Sequence, residues 1–419
     1  MEPTEVLQGR RILLGVTGGI AAYKICTLAS RLTQAGAEVD VVMTEAATRF
    51  VAPLTFQALT GRPVYTDLWS TPGPGLPTHI AHVGLAHGAQ LVVIAPATAN
   101  TLAKLAHGLA DNLLTTLALA ATCPMLVVPA MDVGMWSNPA TQANVETLRA
   151  RGVHLAGPTQ GRMASGLEGE GRMIEPEEIL GHIRLVLGRQ GPLAGRRVVV
   201  TAGPTREFLD PVRFLSNPSS GRQGFALAQA ALDRGAAVTL IAGPTHLPTP
   251  VGAERVAVTS AQEMRDAVLE AVAEADALLM AAAVADYRPE ETVPRKIKKK
   301  EDRGLTLRLT RTPDVLAAVA ERRTETGHPR VIVGFAAESH DLIANARAKM
   351  EAKRLDLIVA NDVTAPDAGF GVETNRVVIL DPQGGVQELP LMSKSAIAEI
   401  ILDRVVDLLR TAVPPRRPV

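Results

Sequence analysis

The residues best suited to chemistry fall into two groups, one in each half of the chain. In the second half, the apolar run Val198, Val199, Val200 leads through Thr201-Ala202-Gly203-Pro204 and an irregular polar segment to Ser219-Ser220-Gly221-Arg222-Gln223-Gly224, just before a helix-like stretch from Phe225. A strand that passes through glycine-rich loops to a helix N-terminus offers backbone N–H groups and a helix dipole to an anion, and glycine lets the backbone come close. Ala281-Ala282-Ala283-Val284-Ala285-Asp286 follows another strand-like run: small residues admit a ligand, and Asp286 is placed to meet a metal or a polar group. The basic run over 295–300 reads either as a solvated face or as a polyphosphate clamp. In the first half, Thr17-Gly18-Gly19-Ile20 and residues 96–101 (PATANT) each follow a strand end, where open α/β sheets bind ligands. Met131-Asp132-Val133-Gly134-Met135-Trp136 follows a third, and residues 161–173 carry too many glycines for a packed element and read as a mobile flap. His79, His82 and His87 supply side chains that titrate near neutral pH. Each feature also has a plainer reading: surface histidines, a core methionine and tryptophan, a glycine linker.

Strand–helix–strand grammar positions these residues. Strands over 11–16, 39–43, 91–95 and 125–129 alternate with helices over 21–35 and 100–121. After a Gly/Pro-rich boundary at 188–195, the pattern restarts with strands at Val198 and over 238–242, 277–280, 331–335 and 357–361 and helices over 225–234 and 261–274. Parallel sheets follow from that grammar. At 419 residues, two domains are expected. Hydrophobic residues make up 47% and charged residues 21%, and 43 basic against 43 acidic residues leave no net charge, so composition gives no electrostatic case for nucleic acid or a membrane surface. Two cysteines, far apart, suggest neither a disulfide framework nor a zinc site. The start, MEPTEVLQGRR, lacks the apolar core of a signal peptide, so a cytoplasmic protein is expected. Neither a dinucleotide fingerprint nor a G-x-x-x-x-G-K-[ST] loop is present.

Taken in order, GVTGGIAAYK, H-x-x-L-A, APATANT, PAMDVGMW and GEGRM, over residues 10–185, resemble the flavin-dependent cysteine decarboxylases. The resemblance implies a doubly wound, flavodoxin-like sheet binding FMN across a homotrimer contact, with Gly18, Gly19, Thr44, Thr98 and Asn100 against the cofactor. It makes His82, rather than His79, the catalytic histidine, and it gives the substrate to the PAM segment (Asp132, Met135) and the flap. In such a site, oxidising the substrate thiol to a thioaldehyde provides the electron sink that lets CO₂ leave, and return of the hydride gives no net redox change. Two positions depart from the family pattern. Asp132 stands where an asparagine can donate to the substrate carboxylate, whereas an ionised aspartate only accepts. Ser165 stands at the proton-donating cysteine of the flap, and a hydroxyl is a far weaker acid than a thiol of pKa about 8.5.

The second half carries GPTRE, DPVRFLSNPSSG, AAAVADY, KIKK, GFAAE and ANDV in that order, and over residues 193–410 it resembles the bacterial phosphopantothenate–cysteine ligases. The resemblance implies a Rossmann-like domain that activates 4′-phosphopantothenate with CTP and Mg²⁺ through an acyl-cytidylate. It assigns Lys296 to the triphosphate, Asp286 to the metal or nucleotide, and Ala282 and Phe335 to the nucleotide pocket. Ser219, Ser220 and Gly221 take a phosphate, Asn217 the acyl-cytidylate and Arg213 the substrate. Arg222 replaces the usual lysine after S-S-G.

The two resemblances interlock, because the ligase product is the decarboxylase substrate. The expectation is an α/β chain of two doubly wound domains, decarboxylase over 1–188 and ligase over 193–410, acting on small molecules with no nucleic-acid or membrane partner. A homo-oligomer is implied, with trimeric flavin sites and dimeric ligase contacts. Two other readings stand beside it: a flavin-binding regulatory or scaffold protein whose first half has lost its chemistry, and a two-domain NAD-type oxidoreductase.

Overall fold

The computed structural model describes residues 4–69, 81–298, 305–338, 340–362 and 371–411. The chain forms two compact units, Met1–Gly188 and Arg189–Val419, each built on its own central sheet.

In the first unit the strands run, across the sheet, Val64–Tyr65, Glu38–Met43, Arg11–Val16, Leu91–Ala97, Met125–Pro129 and His154–Leu155, all parallel. Helices cover both faces, so the central strands read as continuous apolar runs. Alternation of side chains sends Ile12 and Leu14 to a core with Ile25, Leu28 and Phe56, while Leu13, Val92 and Ile94 pack with Leu102, Leu114 and Trp136 on the other face.

The second unit repeats the plan. Its sheet runs Ala253–Ala257, Ala237–Ala242, Arg197–Ala202, Ala277–Met280, Val331–Glu338 and Leu357–Asp362 in parallel, then Val377–Leu380 and Val386–Glu388 antiparallel at the edge. In both sheets the first six strands follow the order 3-2-1-4-5-6. The doubly wound α/β class is therefore what the chain adopts. The refinement is in the first unit: Val64–Tyr65 adds a third strand outside the second, which produces this order instead of the 2-1-3-4-5 order of flavodoxin-like sheets. Winding reverses between Arg11–Val16 and Leu91–Ala97 in one unit and between Arg197–Ala202 and Ala277–Met280 in the other. The carboxyl ends of each pair are where doubly wound sheets bind ligands.

Three local expectations change. The helix expected over 100–121 is two helices, Ala99–His107 and Leu113–Ala120, because Gly108 closes the first in a left-handed conformation (φ +69°) and the Asn112 side chain caps the second. The helix expected from Phe225 begins at Arg222, capped by Gly221 at φ +78°, so Arg222-Gln223-Gly224 form its first turn. The polar segment before it contains an antiparallel ribbon, Arg206–Phe208 with Phe214–Ser216, with Arg206 stacked over the Phe214 ring at 4.6 Å. No helix among the described residues is long and apolar enough to cross a membrane.

Candidate active sites at the two switch points

In the first unit the strand-end loops are tied to one another. The buried Thr17 hydroxyl donates to Pro96 O at 2.6 Å and accepts from Thr98 N at 3.3 Å, locking the glycine loop to the Pro96–Thr98 turn. A Cβ on Gly18 would lie 2.4 Å from Ala46 Cβ, so the loop approaches its neighbour as only glycine can. A Cβ on Gly19 would meet nothing closer than Thr98 Cγ2 at 3.8 Å, so that glycine faces open space. Thr98 caps the helix Ala99–His107 and Thr44 the short helix Glu45–Thr48, and Asn100 is exposed on the first turn after Thr98. Gly18, Gly19, Thr44, Thr98 and Asn100 thus share the carboxyl end of the sheet. Hydroxyls, an amide and free backbone room there suit a planar, phosphate-bearing group.

Asp132 accepts from Gly134 N at 3.1 Å and from the Ser165 hydroxyl at 2.7 Å; Met135 is exposed and Trp136 is core. The glycine-rich segment is not a loose flap. Its strands Thr159–Arg162 and Glu168–Arg172 form an antiparallel hairpin with Ser165 in the exposed connection. The glycines are what let it pack: a Cβ on Gly169 would strike Val133, one on Gly171 would lie 2.5 Å from Met131 O, and Met131 N donates to Gly171 O. At the hairpin's base, the Lys24 ammonium at 2.8 Å, helped by Arg172, holds Glu175 below the usual carboxylate range. His82 is the second residue of the helix Ala81–Gly88, but its side chain lies outside the described residues, as does His79. Cys26 and Cys123 are both free thiols, pushed up by burial.

In the second unit, the strand-end segments stay hydrogen-bonded past the sheet: Thr201 Oγ1 accepts from Ala282 N, Gly203 O from Ala283 N, and Thr205 Oγ1 from Ala285 N. A cavity of about 280 Å³ opens beside them. Asn217, Ser219, Ser220, Gly221, Ala282, Asp286 and Phe335 all line it. Asn217 is oriented by donating to Val284 O at 3.0 Å, and Ser219 Oγ accepts from Gly221 N at 3.3 Å. The helix from Arg222 sits hard on the strand, since a Cβ on Gly224 would lie 2.5 Å from Ala202 Cβ. Asp286 is exposed to the cavity. Among the described residues it belongs to no group of three or more His, Cys, Asp or Glu side chains.

Two expected site residues stand apart from this cavity. Lys296 is exposed and not among its lining residues. Arg213 is engaged within the protein: one guanidinium nitrogen donates to Asp210 Oδ2 and to Ile297 O, each at 2.9 Å. Burial alone would raise the Asp210 carboxyl, but the N–H groups of Ile297, Val212 and Arg213 and the Arg213 charge outweigh it and hold it below the ordinary range.

The cavity also holds cations that motif reading passed over. Lys349 donates to Phe335 O at 2.8 Å, and burial pushes its ammonium below the ordinary lysine range against the pull of Glu338, Asp286 and Asp314. Burial and Arg222 lower Lys394 as well, with Glu373 opposing. Both were readable in principle. Lys349 lies three residues after buried Ala346 and beside buried Met350, and Lys394 lies three, four and seven before buried Ile397, Ala398 and Ile401. A lysine on the apolar stripe of a helix must have something to meet. Gln223 donates to Lys394 O, while its Oε1 is buried without a partner.

Comparison with known proteins follows the same division. Residues 1–188 match the family described as "Flavoprotein", and residues 193–409 match "DNA/pantothenate metabolism flavoprotein C-terminal domain". The protein from Bacillus subtilis (strain 168) named "Coenzyme A biosynthesis bifunctional protein CoaBC" is 48% identical over 406 residues, 96% of this chain and 98% of its own length. Its namesake from Mycobacterium tuberculosis (strain ATCC 25618 / H37Rv) is 47% identical over 411 residues, 96% and 97% of the two chains. Among solved structures, the C-terminal domain of a CoaBC protein is 37% identical with TM-score 0.44, over 52% of this chain and 96% of that one. The FMN-dependent cysteine decarboxylase SpaF is 36% identical with TM-score 0.38, over 43% and 97%.

Proposed function

The chain belongs to the family of coenzyme A biosynthesis bifunctional proteins, and we propose that each of its switch points houses one of the two reactions. It is a phosphopantothenate–cysteine ligase and a phosphopantothenoylcysteine decarboxylase, and a flavoprotein. Ligation belongs to the second unit and decarboxylation to the first.

For ligation, the carboxylate of 4′-phosphopantothenate attacks the α-phosphate of CTP, pyrophosphate leaves, and the amine of cysteine then displaces CMP from the acyl-cytidylate. The cavity of the second unit supports this reading: it gathers Asn217, Ser219–Gly221, Ala282, Asp286 and Phe335, with Lys349, from distant parts of the chain. The first turn of the helix from Arg222 and Ser219-Ser220-Gly221 hold a phosphate. Lys349 and Lys296 would neutralise triphosphate charge, and Asp286 would help to hold a Mg²⁺ ion, which would offset the charge of the phosphates. Asn217, with one amide N–H held by Val284 O, keeps the other to donate to the acyl intermediate.

In the first unit, Gly18, Gly19, Thr44, Thr98 and Asn100 would hold FMN, on loops that Thr17 ties together. Bound FMN supplies a reversible two-electron acceptor. His82 handles the proton of the substrate thiol. Asp132, held by Gly134 N, and Met135 line the substrate side, and the hairpin with Ser165 covers it and excludes water. An oligomer fits the exposed apolar side chains Ile20, Leu54 and Trp69 of the first unit and Val212, Phe214 and Leu309 of the second. A cytoplasmic location suits these substrates.

One assay tests the whole: supply 4′-phosphopantothenate, cysteine, CTP and Mg²⁺, and follow products by mass spectrometry. Appearance of 4′-phosphopantetheine is expected, and its replacement by accumulating phosphopantothenoylcysteine would leave the first unit a flavin-binding module only. His82→Asn should stop CO₂ release while ligation continues; an unchanged decarboxylation rate overturns its role.

A further inference from the structure

We propose that Asp210 is a positioning residue for ligation: together with Arg213 it fixes the backbone of the basic segment at Ile297 and thereby sets where Lys296 stands. Asp210 is fully buried. Its Oδ1 accepts from Val212 N at 2.7 Å and Arg213 N at 2.9 Å, which folds the DPVR turn around it. Its Oδ2 accepts from the Arg213 guanidinium and, across 87 residues, from Ile297 N at 3.1 Å. The same guanidinium nitrogen donates to Ile297 O. Both backbone polar groups of Ile297 are thus held by one ion pair, as a neighbouring strand would hold them.

The stitching continues upstream. Val293 N donates to Leu209 O at 2.9 Å and the Thr292 hydroxyl to Phe208 O at 3.0 Å, so residues 292–297 are laid along residues 208–213. Residues 208–213 belong to the stretch that goes on to supply Asn217 and Ser219–Gly221 to the cavity. Lys296 itself is exposed, and its direct neighbour Ile297 is anchored through both of its backbone polar groups. A long, exposed lysine works on a phosphate only if its backbone is registered to the residues that hold the other end of the substrate. A carboxylate satisfied by four donors, one of them on the basic segment, provides that registration. A lysine-bearing loop tied only by its ends would not need a buried charge, which is costly unless hydrogen-bonded.

The proposal rests on the reading of Lys296 as a group on the nucleotide, and the test separates the two. Wild type, Asp210→Asn, Arg213→Lys and Lys296→Gln are compared as full chains for CTP-dependent ligation and for hydrogen exchange of peptides containing Ile297. Hydrogen-exchange protection of the second unit's central strands, Arg197–Ala202 and Ala277–Met280, reports that this unit remains folded. Asp210→Asn should lower kcat/KM for CTP by about 100-fold, the loss that an ångström-scale misplacement brings, and speed exchange at Ile297. Arg213→Lys leaves Asp210 its three backbone donors, so it covers the case in which the first variant does not fold. It should also speed exchange at Ile297, which a role confined to substrate contact would leave alone. Wild-type ligation by Asp210→Asn, or unchanged Ile297 exchange in both variants, overturns the proposal. Wild-type ligation by Lys296→Gln overturns the reading beneath it and the proposal with it.

Discussion

The Ser165 hydroxyl donates to Asp132 Oδ2 at 2.7 Å across 33 residues of chain, so the two positions at which the first half departs from its family pattern are bonded to each other. One sits at the tip of the glycine hairpin and the other at the turn on which that hairpin packs. Ser165→Ala removes the bond and leaves the Asp132 carboxylate to water, so its effect on global stability should be small, about 0.5–1.5 kcal/mol. The hairpin tip should nevertheless loosen. Decarboxylation should slow about tenfold, the equivalent of one such bond, and proteolysis over 163–167 should quicken. Cleavage at the wild-type rate would show that the bond does not hold the tip.

Gly18 and Gly19 are adjacent, but their neighbours differ. Gly18→Ala drives a methyl into Ala46, an overpacking that costs about 1–3 kcal/mol even without cofactor. Gly19→Ala meets open space and should leave the cofactor-free fold as stable as wild type. If FMN lies against Gly19, flavin absorbance per protein should still fall in that variant. Full flavin content there would move the cofactor away from the loop.

Lys349 gives ligation a pH signature. Its ammonium is lowered by burial, so it loses charge at a pH below that of an ordinary lysine. An anion binds the charged form, so the KM for CTP should rise as pH climbs through that lowered value. Lys349→Arg stays charged and should flatten this rise. A KM equally pH-dependent in both proteins would remove Lys349 from the triphosphate.

Asp210 gives the second unit an acid signature. Its carboxyl is held below the ordinary aspartate range, so its stabilising contribution is present above that range and is lost as pH falls through the lowered value. Urea midpoints of the wild type should therefore drop between about pH 6 and about pH 3 by more than those of Asp210→Asn. Equal drops would mean that the carboxylate is not what the four donors stabilise.

Much of this architecture is legible in the bare sequence because parallel strands buried on both faces leave long apolar runs, such as Ile12–Leu14 and Val198–Val200, and the switch points follow from where those runs end. Seven site residues of the second half lie on one cavity for the same reason: their motifs sit at strand ends. Short elements were not legible. The ribbon Arg206–Phe208 with Phe214–Ser216 has three residues a side and is held by pairing and by the Arg206–Phe214 stack, neither of which has a periodicity. The hairpin at 159–172 was hidden by its own glycines, whose purpose appears only against Met131 and Val133. Lys349 and Lys394 were masked because charge on a helix suggests solvent unless the apolar stripe is traced through it. The bond from Arg213 to Ile297 O was not legible because 84 residues separate the two.

Among the described residues, the division at Gly188 leaves every strand ladder whole: no sheet of either unit borrows a strand from beyond it. A chain with that property is divisible without unfinished edges. Expressed as 1–188 and 189–419, it should yield two proteins that each fold, one yellow and one colourless, and that together restore the sequence of two reactions. Heredity can then treat the pair as separable goods, free to be joined in one gene, carried in two, or replaced one at a time.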